Sequence, residues 1–426
     1  TMIAHPSHPM FSSTCAISIS RSPFPMLLQT GPVLTPSQKS WFFASQSKAI
    51  WRKLGVGICI RCEAVPPQQV DDGYYMRRCV DIARKGMGHT SPNPMVGCVI
   101  VKGGTIVGEG FHPKAGQPHA EVFALRNAGD LAESATAYVS LEPCNHFGRT
   151  PPCTEALIKY KVKKVVVGMV DPNPIVASKG IDRLRDAGID VTVGIEEGLC
   201  KKLNEAYIHT MLTGKPFGAL RYSLSMNGCL LDRLGEGVSA TGGYFSRLLN
   251  EYDAVISFPI SSADQVLFLA SQEPGASQPF QILVARNPCP PIQIPVPANE
   301  STSKVIIFTD NPAAVAPEIS QRGMEVVVSD LLNLDVIMEY CMRRGLCSVV
   351  LDLRGTFSDF KDLVDEGIGQ NLVQKIIVEV LPVWDGSESG GSSFSALESI
   401  GRRQVKDMAL SAVISGRSAV LEGYLG

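Results

Sequence analysis

Between Asp71 and Leu212, short apolar runs of strand type alternate with segments whose apolar residues recur at helical spacing, joined by links of a few residues. A chain patterned this way has to build a sheet with helices on both faces, because each strand is apolar on both sides and each helix along one stripe. Asp71 and Asp72 can cap a first helix with Met76, Cys79, Val80, Ala83 and Met87 on its apolar side. Thr90-Ser91-Pro92-Asn93-Pro94 cannot continue it, since two prolines fix φ and withhold donors. Strands are predicted over 95–101 and 105–110 around a Lys102-Gly103-Gly104 turn, then over 135–141, 164–169 and 189–193. Helices are predicted to start near His119 and Cys153, and to cover 179–187 and 196–212.

Beyond a hinge at Gly214-Lys215-Pro216, a second α/β region is expected, with strands at 254–257, 282–285, 305–309, 325–328, 348–351 and 375–380. The Pro-rich run 287–297 and the Ser/Gly-rich run 385–395 read as surface loops. The N-terminal stretch differs from both regions. Residues 1–62 contain no Asp or Glu, although the chain has 41, and they are rich in Ser with six basic residues. That is the composition of an organelle transit peptide, and the excess of Ser over Arg points to a plastid. A reducing stroma makes the 12 cysteines free thiols or metal ligands rather than disulfides. The predicted organisation is thus a transit segment over 1–64 and domains over 65–215 and 216–426.

Charge narrows the partners. Without its first 62 residues the chain keeps 33 basic against 41 acidic residues, a net of −8. Such a body is a poor host for nucleic acid, whose binding runs on Lys and Arg neutralising phosphates. No uninterrupted apolar run approaches the ~18–20 residues of a membrane span. A small-molecule substrate is expected, with neither a nucleic-acid nor a membrane partner.

His119-Ala120-Glu121 opens one helix, and Pro143-Cys144 leads to Cys153 at the start of another. One imidazole and two thiolates form a soft ligand set for a single zinc ion, and three protein ligands leave a fourth tetrahedral position to water. Both cysteines lie where a helix dipole favours the thiolate. Glu121, two residues past the histidine, can reach that water without being a ligand, the arrangement of zinc deaminases. A closed structural site would need a fourth Cys or His, for which His112 and His146 are the nearby candidates.

The segments Thr90–Gly97, Gly110–Gly116, His119–Glu121, Leu141–Cys153 and Asp171-Pro172-Asn173-Pro174 together resemble the pyrimidine deaminases of riboflavin biosynthesis, and the match runs over about 72–212. The eight residues between the cysteines separate this pattern from cytidine and transfer-RNA deaminases, which usually place two there. The resemblance implies a three-layer, cytidine-deaminase-like α/β sandwich. It also implies zinc-dependent hydrolytic deamination of 2,5-diamino-6-ribosylamino-4(3H)-pyrimidinone 5′-phosphate, with Glu121 catalytic and His119, Cys144 and Cys153 on the metal. Asn93, His112, His146, Arg149, Asp171 and Asn173 occupy the family's substrate-binding positions.

The second region resembles, more poorly, the dihydrofolate-reductase-like reductase that bacterial relatives fuse to the deaminase. Where that family carries an acid and a base after its first strand, this chain has Asn227 and Cys229. An expected arginine after Thr241-Gly242 is Ser246, a Gly-rich turn is Ser257-Phe258-Pro259-Ile260-Ser261-Ser262, and the Glu-Gly-Gly turn is Asp352-Leu353-Arg354-Gly355. Backbone cradling of a pyrophosphate needs glycines where side chains would collide. NADPH is therefore not expected, and the region's remaining role is to support the deaminase or to form a homo-oligomer interface. The alternative is a bifunctional deaminase and NADPH-dependent reductase.

Overall fold

The computed structural model describes residues 71–147, 151–174, 177–258, 270–285, 304–311, 324–354, 357–386, 405–412 and 418–425. The expected transit segment, Arg149, the 287–297 run and most of the 385–395 run lie outside these residues. Helix α1 (Asp72–Ala83) starts where the acidic pair predicts, with the Asp71 carboxylate accepting from the Tyr74 amide at 2.8 Å. A 3₁₀ turn over Arg84–Gly86 ends this segment before Met87.

Strands β1 (Gly97–Lys102), β2 (Thr105–Phe111), β3 (Thr136–Leu141), β4 (Lys164–Met169) and β5 (Asp190–Val193) form one sheet in the order β2-β1-β3-β4-β5. The β1 pairings to β2 and β3 are antiparallel, and β3, β4 and β5 run parallel. Helices α2 (Ala120–Ala128), α3 (Cys153–Lys159), α4 (Lys179–Asp186), α5 (Glu197–Leu203) and α6 (Glu205–Thr213) follow the predicted alternation. The register pairs Gly97 with Phe111 and Cys98 with Gly110, so these two pairs face opposite sides of the sheet. Helix α1 lies against the Gly97 side and α2 against the Gly110 side, which makes three layers.

One expected helix is two. The pattern over 196–212 reads as continuous, yet α5 and α6 are separated by Asn204. Its side-chain oxygen accepts from the Met95 amide at 2.8 Å and its amide group donates to the Met95 carbonyl at 2.9 Å. Helical periodicity cannot reveal such a break, because the partner lies 109 positions away.

The second sheet contains β6 (Phe217–Leu224), β7 (Leu230–Leu231), β8 (Ala254–Ser257), β9 (Phe280–Ala285), β10 (Val305–Thr309) and β11 (Glu325–Val328). It is completed by β12 (Ser348–Asp352), β13 (Lys375–Val380), β14 (Val405–Ala412) and β15 (Ala419–Leu425). Its order is β11-β10-β9-β8-β12-β6-β13-β15-β14, parallel from β11 to β13, with β7 beside β6. The six predicted strands are present. The central β6 and the antiparallel pair β14–β15 were not among them; β6 carries the charged Arg221 inside an apolar run. Apolar clusters cover both faces, with α8 (Leu334–Arg343) and α9 (Phe357–Gly369) on one side and α7 (Tyr244–Glu251) on the other.

Close helix-to-strand approach sets where α2 begins. A Cβ on Gly110 would come within 2.4 Å of the Ala120 carbonyl and 2.5 Å of the Ala124 amide, and one on Gly108 within 2.3 Å of the Ala124 carbonyl. Both clashes are with backbone, so no side-chain rotation relieves them. Gly110→Ala is expected to push the first turn of α2 off the sheet and to cost about 1–3 kcal/mol. Urea unfolding and metal analysis check this: the midpoint and the zinc bound per chain should both fall, and an unchanged pair of values would contradict the packing argument.

Candidate zinc-dependent active site

The site lies where the starts of α2 and α3 meet. His119 is the residue before α2, in an extended conformation, and Cys153 is the first residue of α3. His119 Nδ1 is 3.5 Å from Cys144 Sγ and 3.2 Å from Cys153 Sγ, and the Cys153 amide donates to Cys144 Sγ at 3.4 Å. The three ligand-type atoms all lie within 4.8 Å of one another. Among the described residues no fourth His, Cys, Asp or Glu joins this group, so the two candidates for a closed site, His112 and His146, stay outside it.

The electrostatics suit a cation. A hydrogen bond from Cys153, followed by one from His119, holds the Cys144 thiol well below the usual thiol range. The same hydrogen bond and burial push Cys153 well up. Cys144's hydrogen bond raises His119. Glu121 is only 3% exposed, and its Oε2 is buried with no hydrogen-bond partner. Burial, and then the Cys144 charge, push its carboxyl up to about 7. An orphaned acid oxygen beside an imidazole and two sulfurs is the donor set that fits zinc together with a water on the open side.

The predicted substrate positions separate into groups. Asn93 Nδ2 is 3.1 Å from His112 Nε2, and His112 Nδ1 is 3.2 Å from the Pro118 carbonyl. His112 is buried, and burial lowers its pKa; as the neutral ring it donates to Pro118 through Nδ1 and accepts from Asn93 through Nε2. Its ring meets that of His119 edge-on at 5.3 Å. Both its nitrogens therefore have partners within the protein. Asp171 is buried; its carboxylate accepts from the Asn173 amide at 2.9 Å and from the Tyr207 hydroxyl at 3.4 Å. Burial raises the Asp171 pKa. His146 is exposed, as is Phe147 beside it. Arg149 lies outside the described residues.

Two residues beyond the expected set shape this region. The buried carboxylate of Glu142 accepts from the amides of Asp171, Ser178, Gly180 and Ile181 at 2.9–3.3 Å. It ties the Cys144 loop to the Asp171 loop and to the start of α4. The signal was present as an acid directly before Pro143-Cys144, but its partners are backbone amides, which a sequence does not display. Tyr207 belongs to α6, and only the folded chain brings it to Asp171.

Comparisons with known proteins agree with this geometry. Residues 69–169 match the cytidine and deoxycytidylate deaminase zinc-binding region. The chain is 57% identical over 360 residues to the chloroplastic riboflavin biosynthesis protein PYRD of Arabidopsis thaliana, covering 84% of this chain and 83% of that protein. It is 53% identical over 373 residues to the Zea mays protein of the same name, covering 86% and 91%. Among solved structures, it is similar to a deaminase and 5-amino-6-(5-phosphoribosylamino)uracil reductase of Thermotoga maritima, at 27% identity and a TM-score of 0.68, over 83% of this chain and 99% of that one. A RibD of Acinetobacter baumannii gives 31% identity and a TM-score of 0.65 over the same shares. An α/β chain with this zinc-binding region and these relatives belongs to the PYRD/RibD family of riboflavin-biosynthesis deaminases.

Proposed function

We propose that this plastid deaminase acts on 2,5-diamino-6-ribosylamino-4(3H)-pyrimidinone 5′-phosphate and releases ammonia and 5-amino-6-ribosylamino-uracil 5′-phosphate. The observation that carries the reading is the meeting of His119 Nδ1 and two cysteine sulfurs beside the buried, unpartnered Glu121 Oε2. His119, Cys144 and Cys153 would hold one zinc ion. Zinc supplies Lewis acidity that brings the pKa of a water towards ~7 and makes it a nucleophile at neutral pH. Glu121 moves one proton from the attacking water to the ring nitrogen doubly bonded to C2, and then the proton of the new C2 hydroxyl to the departing amine, so the bond from C2 to the amine breaks as the C2 carbonyl forms. Burial places the Glu121 carboxyl, with its unpartnered Oε2, where it can exchange a proton with a reacting group rather than with bulk solvent.

Asn93, oriented by His112, contacts the substrate, while Asp171 and Asn173 face its ribose or ring N–H groups. His146 and Arg149 are assigned to the phosphoribosyl end, Arg149 as the planar, permanently charged partner of the phosphate. The deaminase occupies 65–215 after a transit segment over 1–64, and 216–426 is a reductase-like region that does not use NADPH. Several side chains support that last assignment. Asn227 bonds the Asp385 backbone through both ends of its amide, and Ser246 is buried, accepting from the Gln272 amide. Arg354 turns inward onto Asp352, and Leu353 is buried. The Thermotoga relative named as a reductase keeps the bifunctional reading as the alternative.

Glu121→Gln should retain zinc and lose about 10²-fold or more in kcat, because only the proton transfer is removed. Ammonia release with parallel metal analysis measures both, and near-normal turnover would refute the role. Cys144→Ser should lower zinc content and thermal midpoint together; a fully metallated, equally stable variant would count against the ligand set. The purified protein should neither bind NADPH in fluorescence titration nor oxidise it with the deaminated product, and measurable oxidation would establish the bifunctional alternative.

A further inference from the structure

The turn that carries Asn93 is held from the second sheet. Thr90–Asn93 closes through the Asn93 amide donating to the Thr90 carbonyl at 2.8 Å, and Ser91 projects from it to donate to Asp253 Oδ2 at 2.9 Å. That same carboxylate oxygen accepts from the Cys347 amide at 2.7 Å, the Ser348 amide at 3.0 Å and the Ser348 hydroxyl at 3.1 Å. The Asp253 amide in turn donates to Ser348 Oγ at 3.0 Å. Asp253 precedes β8, and Cys347 and Ser348 stand at the start of the adjacent parallel β12, so the acceptor is fixed by two neighbouring strands.

Flanking contacts follow the same side of the sheet. His89 Nε2 is 3.1 Å from the Gly275 carbonyl, and Lys375, the first residue of β13, pairs with Glu205 of α6 at 3.5 Å. From Ser91 the path to the metal ligands is short: Asn93 bonds His112, and the His112 ring rests edge-on against His119. A turn of four residues anchored at its second position by a rigid carboxylate has little freedom to move its fourth.

From this connected set we infer that Asp253 is a positioning residue for the deaminase, fixing Asn93 for substrate through its hydrogen bond with Ser91. The inference rests on the reading that Asn93 contacts substrate. It gives the reductase-like region a defined task in deamination, exerted by a side chain that touches neither metal nor substrate.

Steady-state kinetics of the full mature enzyme on the diaminopyrimidinone ribotide test it, with Ser91→Ala, Ser91→Thr and Asn93→Ala compared with the parent and with zinc content and thermal midpoint measured for each. Ser91→Ala leaves Asp253 its three hydrogen bonds from Cys347 and Ser348 and so perturbs only the link. The expected result is a KM raised about tenfold with kcat within about twofold, unchanged zinc and midpoint, and recovery in Ser91→Thr, which keeps the hydroxyl. An unchanged KM in Ser91→Ala, beside a raised KM in Asn93→Ala, would overturn the positioning role while leaving the Asn93 reading intact. An unchanged KM in Asn93→Ala would overturn the reading itself and the inference with it. A Ser91→Ala enzyme that loses zinc or thermal midpoint along with kcat would show a merely structural link and also overturn it.

Discussion

The whole site depends on bringing two helix starts to one point. His119 before α2 and Cys153 at the head of α3 are fixed only as well as their helices are, and Cys144 only as well as its loop. Backbone approach at Gly108 and Gly110 sets α2 close on β2, with no space for even a methyl group. The Glu142 carboxylate gathers four amides from the chain after β4 and so anchors the loop that delivers Cys144. Ligand atoms within 4.8 Å of one another result from these constraints. A cation with its water would satisfy what the bare site leaves open, an acid oxygen buried without a partner beside an imidazole and two sulfurs.

The second sheet can be understood by its two ends. In open α/β sheets ligands bind outside the carboxyl ends of the strands. The links to the first sheet instead use the amino ends, at Asp253 before β8, Cys347 and Ser348 at β12 and Lys375 at β13. The sheet interior is held by a buried network in which Arg221 bonds Tyr244, Ser223, Asp352 and Glu379, with Arg354 completing the charge balance on Asp352. Removing one partner from such a network strands a buried charge, at a cost of about 3–5 kcal/mol.

Much of this was legible before folding. Strands 164–169 and 375–380 have the bounds that their apolar runs predict, and Asp71 caps α1 as its position before the first helical turn suggests. The clustering of His119, Cys144 and Cys153 was legible because metal chemistry admits few side chains and the helix starts mark where they meet. What stayed hidden was set by partners far away in the chain. Asn204 breaks a helix by bonding Met95, Glu142 acts through backbone amides, and the charged Arg221 can lie inside the apolar run of β6 because β12, β13 and α7 satisfy it. His112 shows the same limit. Its place in the pattern suggests a substrate contact, and the engagement of its two nitrogens by Asn93 and Pro118 becomes visible only in the folded chain.

X-ray absorption at the zinc edge of the purified enzyme tests the central claim most directly. Two sulfur scatterers, one imidazole and one light ligand that exchanges with solvent are the predicted result. A fourth protein ligand in place of the exchangeable one, or a metal-free protein that still releases ammonia at full rate, would contradict it.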